Sequence, residues 1–110
     1  MTFSLLPNYA LIIACNYNNN ESGCNSLYNG STFNAQCIYS ILTQRLGYNP
    51  ANIIILCDAS MSVHPNTPTI KLPTHSNIYT ELSMLMMKTK LANEVTIYYS
   101  GHGTHYDHPN

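Results

Sequence analysis

Ser100, Gly101, His102 and Gly103 stand in a row near the end of the chain, directly after the β-branched and aromatic run 95–99. A run of that kind reads as a strand, and a histidine set between two glycines reads as the tight turn that ends it. Glycine on both sides lets the backbone bend sharply and approach a ligand, which leaves the imidazole standing beyond the strand end. In open parallel sheets that edge is where ligands bind. Histidine is also the side chain that exchanges a proton near neutral pH. The leading expectation is therefore a general base at His102.

Two other readings compete with it. A histidine near a strand end is often an ordinary polar loop residue. It can also be a metal ligand, and His102, His105 and His108 recur every three residues with Asp107 among them. Zinc takes such ligands where a scaffold converges them. Gly101, Gly103 and Pro109 exclude a helix that would do so here, so no metal site is expected. The Gly-x-Ser-x-Gly elbow of serine hydrolases is absent around Ser100, and so is a Gly-x-x-x-x-Gly-Lys phosphate loop.

The elements that must position this histidine are legible as three unalternating apolar runs, 9–15, 53–57 and 95–99. Runs without polar alternation suit strands covered on both faces of a parallel sheet. Between the first two, Phe33, Cys37, Ile38, Ile41, Leu42 and Leu46 recur as one apolar stripe of a helix. Ser31 or Thr32 is placed to cap its start and Gly47 to take the left-handed position after its end. A second helix is expected over about 77–91, with Ile78, Leu82, Leu85, Met86 and Leu91 inward. Thr74, Ser76 or Asn77 would cap it, and its methionine-rich stripe is expected in the core. The order β-α-β-α-β, with right-handed crossovers, gives an α/β fold with all three strands parallel. Residues 1–110 are expected to belong to a single domain, without repeats and without a second domain. Two long polar loops, 16–29 and 59–73, follow strand ends on the same edge as His102, where long loops tend to be functional.

Composition narrows the function classes. Charged residues make up 8% of the 110, against about 25% in ordinary globular chains. A formal charge of −1 with four basic residues leaves no patch for nucleic acid or an anionic membrane. No run reaches the roughly 20 apolar residues of a membrane span. Cys15, Cys24, Cys37 and Cys57 form no Cys-x-x-Cys pair and read as buried reduced thiols, which suits a cytoplasmic setting. The two glycosylation sequons, beginning at Asn20 and Asn29, matter only in a secreted chain, and no signal peptide is expected.

Taken in order, these segments resemble the large-subunit half of a metacaspase, a caspase-like cysteine peptidase. The resemblance runs from the first strand through Cys15 and Tyr17, then from Gly30 along the helix to Leu46, Gly47 and Tyr48. It continues through 52–58, Pro73, Thr74, Asn77 and Ile78, and closes on 99–104. It implies a three-layer caspase-like fold, incomplete here. It implies a His/Cys dyad in which His102 is the general base, with the backbone N–H of Gly103 in the oxyanion hole. It also sets Ser31, Asn34 and Ser100 on the substrate-binding side. A thiol is mostly protonated at neutral pH, so such a base is what makes it a nucleophile.

Three departures qualify the resemblance. All four cysteines precede His102, whereas the caspase nucleophile lies about 50 residues after its histidine. The family's Gly-Cys-x-Asn-Asp is Gly30-Ser31-Thr32-Phe33-Asn34 here, so Asn34 replaces the aspartate that faces a basic substrate residue. The acidic calcium-binding stretch of many members would lie beyond residue 110. No cofactor is expected in this chain, and calcium only in a longer protein. The expectation is the N-terminal part of a cysteine endopeptidase, inactive alone. Its partners would be a peptide or protein substrate and a complementary small-subunit-like segment. A non-catalytic caspase-like binding or regulatory module is the alternative.

Overall fold

A computed structural model describes residues 6–17 and 26–102. Three strands, β1 (Asn8–Ala14), β2 (Ile53–Cys57) and β3 (Glu94–Ser100), form one sheet in the order β2-β1-β3. Both pairings are parallel, with Ala10 opposite Ile53 and Thr96, and Ala14 opposite Cys57 and Ser100. All three strands therefore end on one edge. Helix α1 (Gly30–Ser40) lies between β1 and β2 in sequence, and α2 (His75–Lys88) between β2 and β3.

Side chains alternate across each strand, and the alternation here divides the core into two layers. Ala10, Ile12, Ala14, Ile53, Ile55 and Cys57 pack with Ala35, Tyr39 and Leu42 of the first helical segment. Leu11, Ile13, Cys15 and Leu56 pack on the other face with Leu85, flanked by Ile78 and Leu82 of α2. The result is the expected α/β sandwich of helix, parallel sheet and helix.

The face that α1 buries differs from the expected one. Ser31, Ala35 and Tyr39 are buried, while Phe33 is 69% exposed and Cys37, Ile41 and Leu46 also face outward. Small residues at 31 and 35 let the helix axis approach the sheet, where Ala10 and Ala14 leave room. Tyr39 buries its ring and satisfies its hydroxyl, which pairs with Thr67 Oγ1 at 2.7 Å and accepts from the His64 N–H at 3.0 Å. Of the expected stripe only Leu42 and the partly buried Ile38 face the core, so ranking residues by hydrophobicity alone misplaced the other four, Cys37 as a buried thiol among them. The cap also differs, because Ser31 and Thr32 lie inside the helix after a left-handed Asn29.

Beyond Ser40 the helix widens into a π-turn over Ile41–Arg45, in which the Leu46 N–H reaches the Ile41 carbonyl at 3.1 Å. Thr43 Oγ1 donates to the Tyr39 carbonyl four residues back at 2.9 Å, a bond of the kind that bends helices. Gly47 then takes the left-handed conformation at φ 71°, as its position predicts. This turn delivers Tyr48 into the core, where its hydroxyl donates to Glu94 Oε2 at 2.7 Å and lies 2.8 Å from Thr96 Oγ1.

Thr74 caps α2 by accepting from the Asn77 N–H at 3.1 Å. Its inner face is Ile78, Leu82 and Leu85, together with a buried Glu81 whose Oε1 lies 3.5 Å from Lys71 Nζ. The methionine stripe is not core: Met86 and Met87 are 72% and 80% exposed, and Leu91 is exposed as well. α2 packs over β1 and β2, and a helix can bury only the stripe that faces its sheet. For the same reason Ile97 and Tyr99 of β3 stay about half exposed, so the expectation of two covered faces holds for β1 and β2 but not for β3. Among the described residues β3 is an edge strand. The outer edge of β2 is met by Lys71, whose N–H and carbonyl bond to Ile55 and Cys57.

Candidate active site

Parallel pairing in register brings the residues that follow each strand together. Asn16 and Tyr17 follow β1, Asp58 follows β2, Gly101 and His102 follow β3, and the first turn of α1 enters from the side. The Cys15 N–H extends the ladder to the Ser100 carbonyl at 2.9 Å, so β1 and β3 stay zipped up to the site.

Asn16 ties these ends together. It is fully buried, and its Oδ1 accepts from the Thr32 N–H at 3.1 Å, satisfying one of the orphan donors at the start of α1. Its Nδ2 donates to Thr32 Oγ1 and to Asp58 Oδ1, both at 2.7 Å. The Asp58 carboxylate also accepts the backbone N–H of Asn16 at 2.9 and 3.0 Å and that of Tyr17 at 2.9 Å. Hydrogen bonds to an ionised group are the strong kind. They hold Tyr17 in a left-handed conformation, φ 61°, which is uncommon for a residue with a side chain.

His102 stands exposed past the end of β3. Its imidazole stacks on the ring of Tyr17 with centroids 4.7 Å apart and planes inclined by 28°. Its N–H donates to the Tyr17 hydroxyl at 3.0 Å, and its carbonyl accepts from the Tyr99 hydroxyl at 2.9 Å. Gly101 makes this possible. A β-carbon there would meet the Tyr99 and Tyr17 hydroxyl oxygens at 2.6 and 2.9 Å. An exposed, oriented imidazole is what a general base needs.

The metacaspase, peptidase C14 domain model matches residues 8–110. The chain belongs to this family. Metacaspases are cysteine peptidases, so the activity of the family is peptide-bond hydrolysis and its substrates are peptides and proteins. The chain is 29% identical over 94 residues to Metacaspase-1 of Saccharomyces cerevisiae strain YJM789, an alignment covering 86% of the chain and 19% of that relative. The same figures hold for Metacaspase-1 of strain ATCC 204508 / S288c. The chain thus spans about a fifth of the length of the curated relatives it matches.

Set against the metacaspase expectations, the predicted site residues fall into three groups. Ser31, Ser100 and His102 lie at the common strand edge. Ser31 is turned inward, with its Oγ 3.1 Å from Ser100 Oγ. Asn34 is exposed on α1, one turn further along. Gly103, His105, Asp107, His108 and Cys24 lie outside the described residues. No group of three or more metal-ligating side chains converges among the described residues, and no helix there is long and apolar enough to cross a membrane.

The buried Cys15 at this edge lacks the character of an activated nucleophile. Burial, reinforced by the negative charge of Asp58, pushes the Cys15 thiol above its ordinary 9.0, against a smaller lowering by the Tyr17 hydrogen bond. Cys57 is buried with its sulfur 3.5 Å from Thr32 Oγ1. Burial likewise raises the Tyr48 phenol above 10.0. Both groups hold their protons more tightly folded than unfolded, so the stability they contribute is complete below their ordinary values and is lost at higher pH. Unfolding free energy is expected to hold level from pH 7 to about 8.5 and to fall above pH 9. Cys15→Ala should remove the earlier part of that decline, as denaturant titrations across the range would register.

Sequence reasoning passed over Asn16, Tyr17 and Asp58 as site residues. The signal was available, since a polar residue directly follows each apolar run, and parallel neighbours in register must bring such residues face to face.

Proposed function

We propose that this chain supplies the histidine side of a metacaspase His/Cys dyad, with His102 as general base for a cysteine carried on a later segment of polypeptide. The observation that carries this reading is the exposed imidazole, oriented at the common strand edge by Tyr17 and Tyr99. His102 would take the thiol proton, the thiolate would attack the scissile carbonyl, and the imidazolium would return the proton to the leaving amine. Gly103 would offer its N–H to the oxyanion. Ser31, Asn34 and Ser100 would lie along the bound peptide, with a small-subunit-like segment completing the cleft. Calcium would act only through residues of a longer protein, and the setting would be cytoplasmic.

The test is peptide hydrolysis by a polypeptide that continues through a family-type cysteine, against the 110-residue chain alone. Cleavage by the longer form and none by the shorter is the expected result. A non-catalytic module, favoured by the burial of Cys15 and Cys57 and by Asn34 in place of an acid, would cleave in neither form.

Asn34 also sets an expectation for specificity. Asparagine keeps a hydrogen-bonding oxygen but lacks the charge that would pair with an Arg or Lys side chain. Asn34→Asp should therefore raise kcat/KM for Arg substrates relative to neutral ones by about tenfold, the scale of one charge-assisted hydrogen bond. Being exposed near the start of α1, the new carboxylate should leave the fold intact or slightly firmer. An unchanged substrate ratio would place the selectivity elsewhere.

A further inference from the structure

We infer that Tyr17 is a positioning residue for His102, set in place by Asp58, so that the imidazole that follows β3 is oriented from the ends of the two other strands. The inference rests on the reading of His102 as general base. Tyr17 touches the histidine in two independent ways. Its ring lies under the imidazole at 4.7 Å, which fixes the plane of the side chain, and its hydroxyl accepts the His102 N–H at 3.0 Å, which fixes the backbone. The same hydroxyl lies 3.4 Å from that of Tyr99, which holds the His102 carbonyl. The two tyrosines thus grip the peptide units on both sides of one residue.

Tyr17 itself is over-determined. Its left-handed backbone is uncommon for a side-chain-bearing residue, and such conformations persist where the surroundings enforce them. Here the enforcing group is the Asp58 carboxylate, which takes the N–H of Tyr17 at 2.9 Å and that of Asn16 at 2.9 Å. A ring that only filled space beside a strand would need neither the unusual φ nor a hydroxyl directed at the histidine N–H. The tight fit at Gly101, where a β-carbon would strike both tyrosine hydroxyls, points the same way.

The experiment is NMR of the 110-residue chain, with the five histidines distinguished by comparison with His102→Gln. In the native chain the His102 ring protons should resonate upfield of free imidazole because they sit over the Tyr17 ring. Tyr17→Phe should keep that displacement while the His102 amide exchanges about tenfold faster, the scale of one hydrogen bond. Tyr17→Leu should abolish the displacement, and Asp58→Asn should reduce it without touching either ring. In a cleavage-competent longer polypeptide, Tyr17→Leu should lower kcat about tenfold with KM little changed, and Tyr17→Phe should recover most of the loss. Unchanged His102 ring shifts in Tyr17→Leu, or unchanged amide exchange in Tyr17→Phe, would overturn the proposal. Full kcat in Tyr17→Leu, with His102→Ala inactive, would overturn positioning and leave the dyad standing. Activity retained in His102→Ala would remove the base itself.

Discussion

Replacing His102 by alanine is expected to leave the fold almost untouched and to eliminate peptide cleavage. The side chain is exposed, and its hydrogen bonds to Tyr17 and Tyr99 run through the backbone, which alanine retains. The imidazole and the Tyr17 ring it stacks on meet at the surface, so unfolding free energy should move by no more than about 0.5 kcal/mol, the usual range for an exposed site. In a cleavage-competent polypeptide the same change removes the group that deprotonates the thiol. The rate should fall at least about a hundredfold, the lower end of what a positioned acid–base group contributes. Denaturant melts of the 110-residue chain and steady-state hydrolysis by the longer form separate the two effects. Peptidase activity within a few-fold of normal would refute the assignment of His102 as base.

A large loss of stability is expected instead at Asp58. Its carboxylate accepts the backbone N–H groups of Asn16 and Tyr17 and the Asn16 side-chain amide. Asp58→Ala strands those donors, of which the Asn16 groups are buried. The cost should be about 3 kcal/mol, since an unsatisfied buried donor loses its whole desolvation free energy. Asp58→Asn keeps one oxygen acceptor and should cost about half as much. Asn16→Ala should approach the larger figure, because it also uncaps α1 at Thr32. The double change Asn16→Ala/Asp58→Ala should cost clearly less than the sum of the single ones, as expected for partners in one network. Additive losses in chemical unfolding would mean that the two side chains act separately.

The sheet was legible because its signal is strong and local. The run 53–57 matches β2 at both ends, and the other two runs differ from β1 and β3 by one residue at each end. The place of His102 just past the third strand was legible for the same reason, since a histidine between glycines after such a run reads as the turn that ends it. Helix faces were less so. Tyr39 is inside because its hydroxyl finds Thr67 and the His64 N–H, partners from a loop that no periodicity announces. Met86 and Met87 are outside because α2 buries only the stripe that faces β1 and β2, a matter of layer width rather than hydrophobicity. The network of Asn16, Thr32 and Asp58 joins residues 16 to 42 positions apart, and it takes form only once the strand order is known.

Strand order has a consequence for biosynthesis. β1 is the middle strand, yet it leaves the ribosome before either of its neighbours. Both faces of that seven-residue apolar segment, and both of its hydrogen-bonding edges, must wait for partners encoded well downstream. At translation rates of about 5–20 residues per second, the wait for β2 alone is on the order of seconds. Neither edge can be satisfied by a neighbouring hairpin, since parallel partners require a full crossover before they meet. The nascent chain therefore carries this apolar segment without a strand partner until β2 is made, and Asn16 and Asp58 can lock the strand ends together only after β2 has docked. The interval before the second strand arrives is therefore the one in which the emerging chain exposes most of what its fold later pairs.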